Sequence, residues 1–357
     1  MTNRAGLDNP ISVFIIDPSA LARQTLAGCI NAHPHMAVIG QASDPFFALA
    51  KLKKRWPDVM VLDLDTPQMD GLTFLRKVMA ERPTPVIVCS ALDKGHASAS
   101  LEALAAGAVS VLVKARLGVR EGLQLLSGEL LRQIEIAARS RPQVIDRALD
   151  TSGTIGEPLI QPHDQPSSSR RLVAIGASTG GTQALERVLC KLDTSCPGMV
   201  IVQHMPAGFT TAFAQRLDNR CRIEVREARH HDVVRSGVAF IAPGGRQTAV
   251  KRHGGKTLIE ISDGPPVNHH KPSVDVLFES VARFSGADAL GIIMTGMGND
   301  GSRGMLAMRL AGASTLAQDE ESCVVYGMPK EALRVGAAQS STGLDGLVQA
   351  IRAFEET

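Results

Sequence analysis

The chain has 357 residues, 44% of them apolar and 21% charged, with a formal net charge of +2. That length exceeds one ordinary core and points to two domains, and the near-neutral balance argues against a nucleic-acid groove. One Trp and one Tyr leave no aromatic platform on which single-stranded nucleic acid would stack.

The six cysteines (Cys29, Cys89, Cys190, Cys196, Cys221 and Cys323) include no Cys-x-x-Cys pair, which predicts reduced thiols instead of a disulfide frame or a zinc site. No stretch approaches the roughly 20 apolar residues of a membrane helix. No apolar run of signal-peptide length precedes the first strand-like segment. A cytoplasmic protein without membrane insertion is expected.

From Ile11 to Ala138 short apolar runs alternate with stretches of helical spacing. Strands are predicted at Ile11–Ile16, Met36–Gln41, Val59–Asp63, Val86–Ser90 and Val109–Val113. Helices are predicted at Ser19–Ile30, Pro45–Lys54, Gly71–Glu81, Ala97–Ala106 and Leu117–Ala138. Five successive βα units imply an α/β, doubly wound (βα)5 domain, here bounded at 10–138. The stretch 139–170, rich in Pro and Ser, reads as a linker.

A second alternation fills 171–354, with strands at Leu172–Ile175, Met199–Gln203, Arg222–Val225, Val238–Ile241, Ala289–Met294 and Ala313–Ala317. Helices fall at Thr182–Lys191, Thr210–Leu217, Ser273–Phe284 and Gly301–Leu310. Thr248–Arg252 and Thr257–Ile261 flank His-Gly-Gly and read as a hairpin. This domain is therefore also α/β, doubly wound and mainly parallel, with a β-hairpin insertion.

In doubly wound sheets chemistry gathers at the carboxyl ends of the strands. Asp17, Asp63 and Lys114 end the first, third and fifth strands, a carboxylate cluster with an ammonium that suits a divalent cation and a phosphoryl group. Phe14-Ile-Ile-Asp-Pro-Ser-Ala20, Val61-Leu-Asp-Leu-Asp-Thr-Pro-Gln-Met-Asp-Gly71 and Val111-Leu-Val-Lys114 resemble a two-component receiver domain. The resemblance implies that Asp63 accepts the phosphoryl group and Lys114 contacts it. It also implies Mg²⁺ held by Asp17, Asp63 and the backbone carbonyl of Asp65. Three positions depart from the pattern. Pro18 replaces a second acid, Cys89 aligns where a hydroxyl is usual with Ser90 facing away, and Ala115 follows the lysine where proline is common.

In the second domain Gly176-Ala-Ser-Thr-Gly180 sits between a predicted strand and helix, the setting of a nucleophile turn. On its own the motif reads more readily as a helix-capping serine. Its company favours chemistry: His204 follows the strand Met199–Gln203, and Asp300 follows Ala289–Met294. A serine hydroxyl needs an imidazole to take its proton, and the imidazole needs a carboxylate to set its tautomer. His230-His231 and His269-His270 compete as bases, but neither pair follows a core strand, so both read as loop histidines.

Gly176-Ala-Ser-Thr-Gly-Gly181, Gln203-His-Met-Pro206, Ala242-Pro-Gly244, Pro272-Ser-Val-Asp-Val-Leu-Phe278, Thr295-Gly-Met-Gly-Asn-Asp-Gly301 and Tyr326-Gly-Met-Pro329 look like the catalytic domain of the chemotaxis protein-glutamate methylesterases, the CheB family. The resemblance implies Ser178 as nucleophile, His204 as base and Asp300 as its orienter. It gives the backbone N–H of Met297 as oxyanion donor and Thr179 as a supporting residue, with no cofactor for hydrolysis. Implied partners are methylated chemoreceptor signalling helices as substrate and the histidine kinase of a chemotaxis system as phosphodonor, with glutamine deamidation as a companion activity. Gln247 stands where a histidine is expected and should leave the chemistry untouched.

Overall fold

A computed structural model of the chain describes residues 9–67, 69–90, 94–113, 120–142 and 171–356. Lys114, Ala115 and most of the expected linker lie outside the described residues. The chain divides into two compact units, Met1–Ala148 and Leu149–Thr357.

The first unit runs β1 (Ile11–Ile16), α1 (Ala20–Asn31), β2 (Met36–Ala42), α2 (Pro45–Leu52), β3 (Val59–Asp63), α3 (Gly71–Glu81), β4 (Val86–Ser90), α4 (Lys94–Ala105), β5 (Ser110–Val113) and α5 (Arg120–Ala138). Its parallel sheet has the order β2-β1-β3-β4-β5. Val13, Phe14, Ile15 and Ile16 are all buried, because helices cover both faces and leave no side of the strand for polar residues. Side chains cap three of the helices: Ser19 accepts from the Ala22 N–H, Asp44 from Phe46 and Asp70 from Thr73. Each capping oxygen satisfies a helix N–H that has no carbonyl partner.

The sheet order reverses between β1 and β3, the point where such sheets open a crevice. Ile16 is opposite Leu62 in register, so Asp17 and Asp63 leave adjacent strands side by side. Gly71 backs this corner. A Cβ there would stand 2.7 Å from the Asp63 carbonyl oxygen and 2.8 Å from the Leu64 Cα.

The second unit runs β6 (Leu172–Ala177), α6 (Gly181–Leu189), β7 (Gly198–Gln203), α7 (Phe209–Asp218), β8 (Glu224–Glu227), β9 (Val238–Ile241), β10 (Gln247–His253), β11 (Lys256–Ser262), α8 (Val274–Phe284), β12 (Ala289–Ile293), α9 (Ser302–Leu310), β13 (Ser314–Gln318), α10 (Met328–Arg334), β14 (Ser340–Thr342) and α11 (Leu344–Glu356). The elements from α10 onward were not anticipated. β14 is three mostly exposed residues whose only signal is the edge of β13 to which they pair.

The large sheet is parallel throughout, in the order β14-β13-β12-β6-β7-β9-β8. Its first strand lies at the centre and the order reverses between β6 and β12. The hairpin β10–β11 is antiparallel and turns through Gly254 and Gly255, both at positive φ. Its Val250 and Ile259 join Phe278 and Val281 of α8 in the main apolar core, so the hairpin is anchored on the helix whose first N–H groups donate to Asp300.

Candidate active site

The strand-end loops of β6, β7 and β12 build the site around the point where the sheet order reverses. The chain leaves β6 at Ala177, whose carbonyl accepts the His204 N–H at 3.0 Å, so the Ser178 turn and the histidine are tied backbone to backbone. The Ser178 N–H donates to the Thr295 carbonyl at 3.0 Å and the Ser178 carbonyl accepts from Gly181 at 2.8 Å. Gly180 takes φ 78° at the entry to α6, a conformation that suits glycine. Gly296 leaves room for the serine, since a Cβ on it would stand 2.6 Å from the Ser178 Cβ.

His204 Nε2 lies 2.8 Å from Asp300 Oδ2, and the two side chains are only 8% and 1% exposed. An ionised carboxylate accepts, so Nε2 carries the proton. Nδ1 is then the basic nitrogen, and it is buried with no hydrogen-bond partner among the described residues.

Asp300 also accepts from Asn268 Nδ2 (2.8 Å), Ser273 Oγ (2.7 Å) and the Val274 and Asp275 N–H groups (2.7 and 3.3 Å). The last two open α8, where the helix dipole favours an anion. Burial alone would push the Asp300 carboxyl up, but hydrogen bonds and charge from His204, with Asn268 and Ser273, hold it well below the usual carboxylate range. Asp275 shares Asn268 Nδ2 (2.7 Å) and takes the Gly304 N–H (2.7 Å). Burial dominates there and raises its carboxyl.

Met297 and Thr179 are half-buried at the site. The Thr179 carbonyl accepts from the Thr295 hydroxyl at 2.9 Å. Neither residue's N–H is hydrogen-bonded among the described residues. The Tyr326-Gly-Met-Pro329 motif backs the Met297 loop: the Gly327 and Met328 N–H groups both donate to the Gly296 carbonyl.

Three residues at the centre were passed over in the sequence. His270 is not a loop histidine standing apart. Its ring stacks on His204 with centroids 3.7 Å apart and planes 7° from parallel. Gln203 is buried, and its Nε2 donates to the carbonyls of Ser178 (2.9 Å) and His204 (3.2 Å), joining the two turns. Gln247 bears on the site after all. It donates to the Pro265 and His270 carbonyls and accepts from the Ser273 N–H at 2.9 Å, so it clamps the strap that carries Asn268, His270 and Ser273. The His230-His231 pair stays in its exposed loop, where His230 Nδ1 accepts from the Ile261 N–H.

In the first unit Asp17 and Asp63 are buried. Asp17 Oδ1 accepts from the Ser19 N–H at 2.8 Å and Asp63 Oδ1 from the Asp65 N–H at 3.0 Å. Cys89 differs from expectation: it lies in the apolar core with Val61, Leu130 and Ile134. The strand-end hydroxyl is the buried Ser90, because side chains alternate along β4 and the inward position falls on the cysteine.

A model of the CheB methylesterase family matches residues 173–351, and one of the response regulator receiver domain matches residues 13–120. The protein-glutamate methylesterase/protein-glutamine glutaminase 2 of Dechloromonas aromatica (strain RCB) is 51% identical over 348 residues, covering 96% of this chain and 97% of that protein. A protein-glutamate methylesterase/protein-glutamine glutaminase 1 of Pseudomonas savastanoi pv. phaseolicola is 50% identical over 350 residues, covering 96% and 98%. The crystal structure of the Thermotoga maritima CheB methylesterase catalytic domain matches with a TM-score of 0.50 at 33% identity, covering 52% of this chain and 98% of that one. Kinship that runs through both units, and is strong enough to embrace the strand-end loops just described, means that the chain belongs to the receiver-bearing CheB family of protein-glutamate methylesterases/protein-glutamine glutaminases.

Proposed function

We propose that this chain is a serine hydrolase that removes methyl esters from glutamyl side chains of chemoreceptors and deamidates glutaminyl side chains there by the same acyl chemistry. The observation that carries the reading is the His204 Nε2–Asp300 bond, with Nδ1 buried and without a partner among the described residues. That imidazole is already in the tautomer a general base requires.

Ser178 Oγ attacks the ester carbonyl while His204 Nδ1 accepts its proton. Asp300, kept ionised by its donors, stabilises the resulting imidazolium. The Met297 N–H receives the developing oxyanion, with the Thr179 N–H beside it, since both donors are unused among the described residues. His204 then hands the proton to the departing methanol, or to ammonia from an amide. Water, deprotonated by the same nitrogen, releases the glutamate and restores Ser178.

In the receiver, we assign residues 10–138 as the domain, 139–170 as the linker and 171–354 as the catalytic domain. Asp63 is the proposed phosphoacceptor and Lys114 its cationic partner, with a histidine kinase as donor. Two buried carboxylates side by side fit Mg²⁺, which one or two carboxylates and several waters commonly hold. Asp17 and Asp63 would hold it with the Asp65 carbonyl, and the ion would neutralise charge on the incoming phosphoryl group. Among the described residues no group of three or more His, Cys, Asp or Glu converges for a metal.

Methanol release from methylated receptor tests the reading. Ser178→Ala is expected to lower turnover by at least about 10³-fold. Turnover near that of the unaltered chain would overturn the assignment.

A further inference from the structure

Away from the site, the carboxyl ends of α6 and α7 bring two thiols together. Cys190 directly follows α6 and Cys221 follows α7, and their Sγ atoms are 3.1 Å apart. Both residues are partly exposed. Glu186, one turn before Cys190, takes Arg216 Nε at 3.3 Å and Arg220 Nε at 2.6 Å. The two helices are thus lashed together beside the sulfurs, and only about 1 Å of approach separates the pair from the roughly 2.05 Å of a disulfide.

A cavity of about 400 Å³ opens onto Cys190, with Lys191, Arg222, Asp345 and Arg352 among its lining residues and Lys191 paired with Asp345, which gives a small oxidant a route from solvent. We propose that Cys190 and Cys221 form a reversible dithiol–disulfide modification site, closed by a hydroperoxide.

The Cys190 thiolate attacks the peroxide O–O bond, giving a sulfenic acid and releasing water or alcohol once the leaving oxygen is protonated. The Cys221 sulfur then attacks the sulfenic sulfur, its proton leaves with the hydroxyl as a second water, and the S–S bond forms. The two thiols lose two electrons and the peroxide gains them.

The sharing of a proton between the sulfurs supports this order. The hydrogen bond from Cys221 lowers the Cys190 thiol, while the same bond and burial raise Cys221. Cys196 and Cys323 are pushed up to about 12 by burial, so they are poor thiolates at neutral pH. The bridge would close a loop containing β7, His204 and α7, stapling the segment that carries the base.

The test treats the folded full-length chain with a few equivalents of hydrogen peroxide, alkylates residual thiols, and maps peptides by mass. The expected product is a Cys190–Cys221 linked peptide, 2 Da below the sum of its thiol halves, that dithiothreitol reverses. Oxidation should raise the unfolding midpoint of the hydrolase unit by roughly 5–10 °C. Cys190→Ser or Cys221→Ser should abolish both the peptide and the rise. Both thiols remaining alkylatable under these conditions would overturn the proposal, as would Cys190 reaching the sulfinate with Cys221 still free.

Discussion

His204 is held by a carboxylate at one edge and a second imidazole across its face. The Asp300 bond fixes its tautomer; the His270 stack at 3.7 Å limits its tilt. A ring free to rock would spend less time in the one orientation that Asp300 fixes, and small misplacements of a catalytic group cost rate steeply. His270→Ala is therefore expected to lower kcat about 10-fold or more with little change in KM, and His270→Phe to recover most of it. Equal loss in both variants would mean that His270 acts by more than its flat face.

The two carboxylates bridged by Asn268 respond oppositely to pH. The Asp300 carboxyl is depressed on folding, so its ionised contacts contribute stability above the ordinary carboxylate value of about 4 and lose it as pH falls through the folded value. Asp275 is raised; its contribution is present at acid pH and is lost as pH rises through its folded value. Asp300→Asn should cost about 1–3 kcal/mol at pH 7, and the deficit should narrow below about pH 4, where the unfolded chain takes up a proton that the folded carboxylate still resists. Urea midpoints of both proteins across pH 3–8 measure this, and a deficit that stays constant with pH would contradict it.

At the scale of elements, the chemistry depends on a strap that is neither helix nor strand. Residues 265–273 carry Asn268, His270 and Ser273, and three hydrogen bonds to Gln247 at the start of β10 hold them. Gln247→Ala leaves the Ser273 N–H and two carbonyls without that partner. It should cost about 1–3 kcal/mol of stability and reduce kcat several-fold, because Asp300 loses order in its donors. Thermal melts and turnover on the same sample check both effects; unchanged turnover would show that the strap holds itself. The strands and most helices were legible from alternation and helical spacing, since burial on both faces demands continuous apolar runs such as Phe14-Ile-Ile16. The strap was not legible. Its residues follow no period, and their order comes from partners 18 to 32 positions away, such as Gln247 and Asp300.

At the scale of the whole molecule, two sheets with separate cores make two units, and the sequence between them is rich in Pro and Ser. Such segments are where proteases cut first. Limited proteolysis is expected to cleave within 143–170 and release a fragment of about 171–354 that still liberates methanol. That fragment should be indifferent to Mg²⁺ with a small phosphodonor, whereas the intact chain should respond, though weakly because of Pro18. An inactive fragment of intact secondary structure would mean that the hydrolase needs its receiver.

By itself the sequence determined the two α/β domains, and it placed Ser178, His204 and Asp300 at strand ends. Those features are written locally, in period, in turn residues and in which position follows a strand. Tertiary structure alone decided that Nδ1 is the free nitrogen of His204, that His270 covers its ring, that Gln247 clamps the strap, and that Ser90 and not Cys89 ends β4 at the receiver crevice. Each is a matter of orientation between residues distant in the chain, and side-chain direction is settled only when the sheet order and the packing over it are complete.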